Sequence, residues 1–251
     1  MKNINWNEVK FRASSWGNLL TEPKEKAAKE SGELSVTCQK ELIKIYNLVK
    51  YGRKKEITTK QMDKGILVED DSIKLYSMVE GKMFFKNDES LENEWFTGHP
   101  DIFTGDNILN AEEVDDIKSS WELDSFTPKL IEKLDAGYEA QLNVYYDLTG
   151  AKNGNLVYCL VSAPLSIVES EKFSLLRRMD VISEESPEFK RACAEMENLM
   201  IFDDIDYRER VIKIPVPRND DLIRKMKSKV PIFRFWLQKF DEKHMSLYPK
   251  S

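Results

Sequence analysis

The sequence predicts an α/β protein: one α/β core with helical additions at both ends. Three observations lead there. Hydrophobic spacing switches from a helical period to short strand-like runs near residue 95. A helix-period segment then separates those runs from the continuous apolar stretch Asn155 to Ser162, NLVYCLVS, which reads as a strand buried on both faces. No repeat or low-complexity linker divides the 251 residues, so a single domain is expected, with its core over about 12–162 and a helix-rich extension over 163–251.

In chain order, Arg12 to Leu20 (RASSWGNLL) reads as a loop entering a short helix, with Ser14 or Ser15 as N-cap. From Leu34 to Lys50, the residues Leu42, Ile43, Ile45, Tyr46 and Val49 recur at helical spacing. A basic loop, Lys50 to Lys55, follows. A second amphipathic helix is expected over about Thr59 to Val79, with Ile66, Ile73, Tyr76 and Val79 on one side. Trp95 to Phe103 and Glu113 to Ser119 read as strands joined through the turn TGDN. Pro128 to Thr149 predicts one helix, with Leu130, Ile131, Leu134, Tyr138, Leu142 and Tyr145 along a stripe and Gly150 behind it. A strand at 210–216 and a last helix over about Asp220 to Phe240, kinked or broken at Pro231, complete the chain.

Composition narrows the chemistry. Cys38, Cys159 and Cys193 lie far apart, which argues against a disulfide framework, a zinc ribbon or a four-cysteine cluster. With only His99 and His244, a histidine-rich zinc hydrolase is excluded, so any metal must be a hard ion held by carboxylates. No apolar run approaches the ~18–20 residues that span a bilayer. The first fifteen residues have no signal-peptide pattern, so a cytoplasmic location and no membrane partner are expected.

The net charge of −6 hides an asymmetry. Residues 1–60 carry 13 basic against 7 acidic groups, residues 61–140 carry 7 against 20, and the remainder 18 against 17. The acidic block is either a solvated surface or a set of carboxylates converging on a cation. GHPD at 98–101 and DDIKSS at 115–120 favour convergence. Alternate side chains on a strand share a face, so Asp116 and Lys118 project together while Ile117 turns away. Asp101, at the end of the preceding strand, can reach the same point. Two carboxylates and an ammonium at a sheet edge suit metal-assisted phosphodiester hydrolysis, with the carboxylates holding Mg²⁺ or Mn²⁺ and the lysine orienting water or balancing charge.

Asp101, Asp116 and Lys118, read as PD-x14-D-x-K, resemble the signature of the PD-(D/E)XK nucleases. The order of the flanking motifs narrows the resemblance to phage recombination exonucleases of the lambda-exonuclease/YqaJ type. Gly65 to Glu69 is similar to their G-x-x-x-E motif, Gln141 to Tyr145 to Q-x-x-x-Y, and Arg12-Ala13-Ser14-Ser15 to their arginine–serine element. Asp116 stands where the family often has Glu, and the Arg12–Ser14 spacing is short for the lambda-type pattern.

The resemblance implies a restriction-endonuclease-like core, a central mixed sheet flanked by helices. It implies one or two Mg²⁺ or Mn²⁺ ions on Glu69, Asp101, Asp116 and the backbone carbonyl of Ile117, with Lys118 and Gln141 at the reacting centre. Arg12, Ser14 and Ser15 would hold the 5′-phosphate of a double-stranded DNA end; His99 and Tyr145 are minor candidates. It further implies 5′-to-3′ digestion leaving 3′ overhangs, a phage or prophage origin with a place in the host cytoplasm, and a single-strand annealing protein as partner. Homotrimers occur in that family. Alternatives are an endonuclease of the superfamily, a RecB-like nuclease on single strands, or a DNA-binding recombination protein with a relic nuclease fold. The clusters Arg53-Lys54-Lys55 and Arg224, Lys225, Lys227 and Lys229 are either ordinary surface or a DNA channel. Trp16 is expected in the core.

Overall fold

A computed structural model describes residues 4–53, 60–180 and 183–247, and only the backbone over 60–67. Lys54, Lys55, Thr59 and the side chain of Ile66 lie outside the described residues.

A 3-10 turn at Trp6–Glu8 precedes a two-residue strand, β1 (Phe11–Arg12), a second 3-10 turn at Ala13–Ser15 and the short helix α1 (Trp16–Leu19). Ser15 stands at the N-cap position of α1, as expected, but makes no side-chain capping bond; its Oγ donates to the buried carboxylate of Glu41 at 3.0 Å. After α2 (Lys26–Glu30), Ser35 caps α3 (Val36–Tyr51) by accepting from the Cys38 amide, and Gly52 ends it at a φ of 64°. Lys50 and Tyr51 are thus helical, not loop, and only Arg53 of the expected basic loop is described as exposed coil. Helix α4 (Lys60–Glu80) follows as expected, burying Ile73 and Tyr76.

The segment expected to be one strand over Trp95 to Phe103 is two. β2 (Leu91–Glu92) and β3 (Phe96–Gly98) join β1 in a three-stranded sheet of order β1-β3-β2. His99-Pro100-Asp101 breaks the run, and β4 (Ile102–Thr104) belongs to a second sheet. Pro100 brings no amide to a ladder, which is why the strand cannot continue through it. β4 is antiparallel to β5 (Glu113–Ser120).

The helix expected over Pro128 to Thr149 is also interrupted. After α5 (Leu123–Phe126), a 3-10 turn covers Thr127–Leu130, and α6 starts only at Ala136 (Ala136–Thr149). Asp135 accepts from the amides of Gly137 and Tyr138, making it a better helix start than Pro128. Leu130 and Ile131, assigned to the apolar stripe, are instead 67% and 89% exposed.

β6 (Asn153–Leu160) runs parallel to β5 and is buried throughout after Asn153. Two helices, α7 (Leu165–Met179) and α8 (Pro187–Asn198), precede β7 (Val211–Pro215), which closes the second sheet in the order β4-β5-β6-β7. The last helix, α9 (Asp220–Ser246), runs through Pro231 without ending and extends six residues beyond the expected Phe240. No helix among the described residues is long and apolar enough to cross a membrane.

The main core lies between the second sheet and α3, α6 and α9, with Trp16 fully buried edge-on to Phe96 at 5.4 Å. A Cβ on Gly17 would stand 2.9 Å from the Cα of Gly137, so α1 meets α6 backbone to backbone. The opposite sheet face packs on α4 through Ile73, Tyr76, Ile117, Val157 and Cys159. The two sheets flanked by helices form the mixed α/β architecture expected of the chain.

Asp241 ties α9 to the rest, taking hydrogen bonds from Trp6 Nε1 (3.1 Å), Tyr46 Oη (2.8 Å) and Lys50 Nζ (2.7 Å). Burial opposes the Asp241 anion, but Lys50, Tyr46 and Trp6 outweigh it and hold its carboxyl below the usual value. Asp241→Ala should cost roughly 1–3 kcal/mol at neutral pH by leaving those donors unpaired. Because the folded-state pKa is depressed, this stability is present above the usual carboxylate value and is lost as pH falls below it and through the depressed folded-state pKa. Denaturant melts at neutral and acid pH should therefore show the gap between variant and wild type narrowing in acid.

Candidate active site

The site lies where the second sheet runs out of partner. β4 pairs with β5 only over Glu113, Val114 and Asp115, so β5 continues from Asp116 with an open side. The chain turns away there at Asp101, and Asp101 Oδ2 accepts the Ile117 N–H at 2.6 Å. A carboxylate thus replaces the next ladder bond. The N–H and C=O of one strand residue point the same way, which puts the Ile117 carbonyl on the same open edge as Asp101.

Alternation along β5 then sorts the acidic pair. Asp115 faces α4, accepting from Tyr76 Oη (3.0 Å) and from the amide and side chain of Asn155 (2.8 and 2.6 Å). Burial pushes its carboxyl up to about 6. Asp116 faces α6 beside Lys118, whose Nζ lies 2.5 Å from Asp116 Oδ2. From α6, Gln141 Nε2 donates to Asp116 Oδ1 (2.8 Å) and to the Tyr145 hydroxyl (2.9 Å). Gln141 and Tyr145 sit one turn apart on one helix face, so the motif spacing becomes a single hydrogen-bonded unit.

The electrostatics follow from burial. Asp101 is pushed up to about 7, first by desolvation and then by the Asp116 charge, against the pull of Lys118 and the Ile117 N–H. Desolvation works against the Lys118 ammonium, yet Asp116 and Asp101 more than offset it and hold its pKa above the usual lysine value. Lys118 is therefore a cation here, and it lies 5.1 Å over the Tyr138 ring. Burial raises the Tyr145 phenol well above its ordinary value, keeping it neutral.

Glu69 reaches the same region from α4, close enough for its charge to raise the Asp101 carboxyl. Its Oε2 is bonded to Lys86 Nζ at 2.8 Å. His99 is occupied, its Nε2 lying 2.8 Å from the Asn87 carbonyl and its Nδ1 3.2 Å from Ser90 Oγ. It helps hold the loop before Asp101 and makes no contact with the carboxylates.

Arg12 on β1 is exposed, with no hydrogen bond or ion pair among the described residues; its charge lowers the Tyr145 phenol, which places it near the site. Ser14 is exposed, whereas Ser15 is taken up by Glu41. Of the basic residues on α9, Arg224 pairs with Asp221 and Lys225 with Glu22, while Lys227 pairs with Asp147 at 2.7 Å and lies over Trp95. Lys86, Asn87 and Tyr138 are site residues that the sequence reasoning missed. Tyr138 was legible three residues before Gln141 on the same helix face; Lys86 and Asn87 lie in a loop with no periodic signal.

Among the described residues, no three acidic, histidine or cysteine side chains form a ready-made metal cluster, since Glu69 is drawn to Lys86. The donor chemistry nevertheless fits a hard divalent ion. Asp116 Oδ2 is buried and takes no well-angled hydrogen bond, and two carboxylates of like charge compete beside it. All the available donors are oxygens, as Mg²⁺ or Mn²⁺ prefers.

Solved structures share this fold. A phage-related exonuclease from Haemophilus somnus superposes with a TM-score of 0.69 at 24% identity, over 94% of this chain and 97% of that one. An alkaline exonuclease from Laribacter hongkongensis matches with a TM-score of 0.61 at 13% identity, over 96% and 98%. The same enzyme in complex with dAMP gives a TM-score of 0.61 at 14% identity, over 95% and 94%. No protein-family model matches the chain, and no curated protein matches it. The chain thus shares the fold of these phage-related and alkaline exonucleases.

Gly98 makes the packing around Asp116 achievable. A Cβ there would meet Tyr145 Cε1 at 2.9 Å and Leu148 Cδ1 at 3.1 Å. Gly98→Ala should destabilise the protein by about 1–3 kcal/mol through overpacking. Chemical denaturation measures the loss, and a Tyr145→Phe background, which keeps the ring, should not relieve it.

Proposed function

We propose that this protein is a metal-dependent DNA exonuclease acting on linear double-stranded DNA. The observation that carries the reading is the convergence of Asp101, Asp116 and Lys118 at an open sheet edge, in a fold shared with exonucleases. In this reading the whole chain is one nuclease domain, its core over about 12–162.

Asp101, Asp116, the Ile117 carbonyl and Glu69 would hold one or two Mg²⁺ or Mn²⁺ ions. When bound, such an ion polarises the phosphate and lowers the pKa of its water. The chain's own groups do the rest. Lys118, held as an ammonium, balances charge growing on the phosphate and orients the attacking water. Gln141 fixes the Asp116 carboxylate through Oδ1, so a cation would share Oδ2 with Lys118 Nζ, and neutral Tyr145 locks the Gln141 amide. Exposed Arg12 and Ser14 suit a terminal 5′-phosphate; Ser15, bonded to Glu41, orders that turn from behind. A cavity of about 580 Å³ lined by Lys129, Glu132, Asp135, Tyr138 and Tyr158 lies on the Tyr138 side of Lys118.

Digestion from 5′ to 3′ would leave 3′ single-stranded overhangs for phage-type recombination in the host cytoplasm. A single-strand annealing protein would take the product, and the nuclease would assemble as a homotrimer.

End-labelled linear duplex, nicked circles and closed circles, incubated with Mg²⁺ or EDTA, test activity and polarity together. Linear duplex should be degraded only with the metal, and cutting of closed circles would transfer the reading to an endonuclease. Lys118→Ala and Asp116→Ala should each slow digestion by about 10²-fold or more. Undiminished rates in both would overturn this site assignment, whereas no digestion by the wild type would leave the DNA-binding, non-catalytic alternative. Arg12→Ala should raise KM for 5′-phosphorylated ends more than it lowers kcat, and should erase the preference over 5′-hydroxyl ends.

A further inference from the structure

Asp101 and Asp116 stand at the site with the Glu69 charge within electrostatic reach of Asp101, and two ammonium groups are already bonded to Asp116 and Glu69. Lys118 neutralises Asp116 at 2.5 Å, and Lys86 neutralises Glu69 at 2.8 Å. Lys86 is exposed, but it does not stand on a free loop. The residues around it are fixed on both sides of the chain. Phe84 is buried and stacked on Tyr76 with ring centroids 4.8 Å apart, and its amide donates to Ser77 Oγ at 3.1 Å. Asn87 is 4% exposed; its amide donates to the Asp101 carbonyl at 2.8 Å and its Nδ2 to the Pro100 carbonyl at 2.9 Å. Asn87, which holds the backbone at Asp101, thus fixes the chain on one side of Lys86, and Phe84 fixes it on the other. The Lys86 ammonium also lies within reach of the Asp101 charge.

We propose that Lys86 is a resident counter-cation on Glu69, which a divalent ion must displace before Glu69 can act as a ligand. The inference rests on the reading of Glu69, Asp101 and Asp116 as metal-binding carboxylates. Its physical content is a competition: the ammonium occupies a carboxylate oxygen that would otherwise bind the ion. It stabilises the site when no divalent ion is bound and weakens the first binding step by the strength of the pair. Once displaced, the ammonium stays anchored beside the site by Asn87 and adds positive charge where a DNA phosphate would approach.

Titration calorimetry of Mn²⁺ into the full chain tests this without any substrate. Lys86→Met should bind Mn²⁺ about three- to tenfold more tightly than wild type, the range expected for loss of a partly exposed ion pair. Lys86→Arg, which keeps the charge, should bind like wild type. Asp116→Asn should bind much more weakly. Unchanged or weaker Mn²⁺ binding by Lys86→Met, with wild-type binding intact and dependent on Asp116, overturns the proposal alone. Absence of Asp116-dependent binding in wild type overturns the metal-site reading and this inference with it. Thermal melts of each variant, with a wild-type-like Tm for Lys86→Met and Lys86→Arg, establish that the comparison is between folded proteins.

Discussion

The site depends on one hydrogen bond, from the Ile117 amide to Asp101 Oδ2 at 2.6 Å. A strand that outlasts its neighbour exposes unpaired amides and carbonyls, and buried ones are costly. Here a side-chain carboxylate takes the place of the missing strand. That substitution satisfies the amide, brings an anion to the sheet edge and leaves the neighbouring carbonyl facing the same space. Pro100 stops β3 from running on into β4, so the interruption and the carboxylate that heals it come from consecutive residues. Asn87 then holds the loop from outside through the Pro100 and Asp101 carbonyls. Had Asp101 remained within a regular strand, its backbone would have completed the ladder and its carboxylate would have had no reason to reach Ile117.

Gathering carboxylates in a half-buried place opposes folding, and the structure offsets this locally. Each anion has a designated counterpart: Lys118 and Gln141 for Asp116, Lys86 for Glu69, a backbone amide for Asp101. The compensation is incomplete at Asp101, whose carboxyl is pushed up to about 7 by burial and by Asp116. An incompletely balanced group among oxygen donors is what a cation can stabilise further. Asp115, which burial also pushes up, to about 6, differs in its partners. It is as buried as its neighbour, but Tyr76 and Asn155 satisfy it on the other face, and it adds to the α4 side of the sheet rather than to the site.

The parts of the fold and site that depend on local period were legible in the sequence. The two-residue alternation of β5 put Asp116 and Lys118 on one face, and the helical spacing of Gln141 and Tyr145 put both on one side of α6. Solvent exposure of Leu130 and Ile131 was not legible, because Asp135 starts α6 from a capping interaction that competes with an apolar pattern starting at Pro128. Ser14 and Ser15 suit an N-cap by type, but Ser15 found a buried partner, Glu41, twenty-six residues away. Lys86 and Asn87 were invisible for a similar reason. Their roles arise from tertiary contacts with Glu69, Pro100 and Asp101, and no spacing rule connects a turn residue to carboxylates on other elements.

The small sheet explains how a motif at the N-terminus can serve a centre built on β5. β1 lies parallel to β3, pairing Arg12 with Thr97, one residue before Gly98. Gly98 in turn lets the Tyr145 ring pack against its backbone, and Tyr145 shares the Gln141 amide with Asp116. The distance from Arg12 to the carboxylates is thus set by a short series of contacts: one strand pairing, one side-chain-free backbone position and one bifurcated amide. In the proposed function, Arg12 at the strand end and the carboxylates at the adjacent phosphate would have to keep a fixed separation, and flexible loops would not hold it. Placing Arg12 on a strand of its own, with Trp16 and Phe96 packed beneath, makes that separation a property of the core.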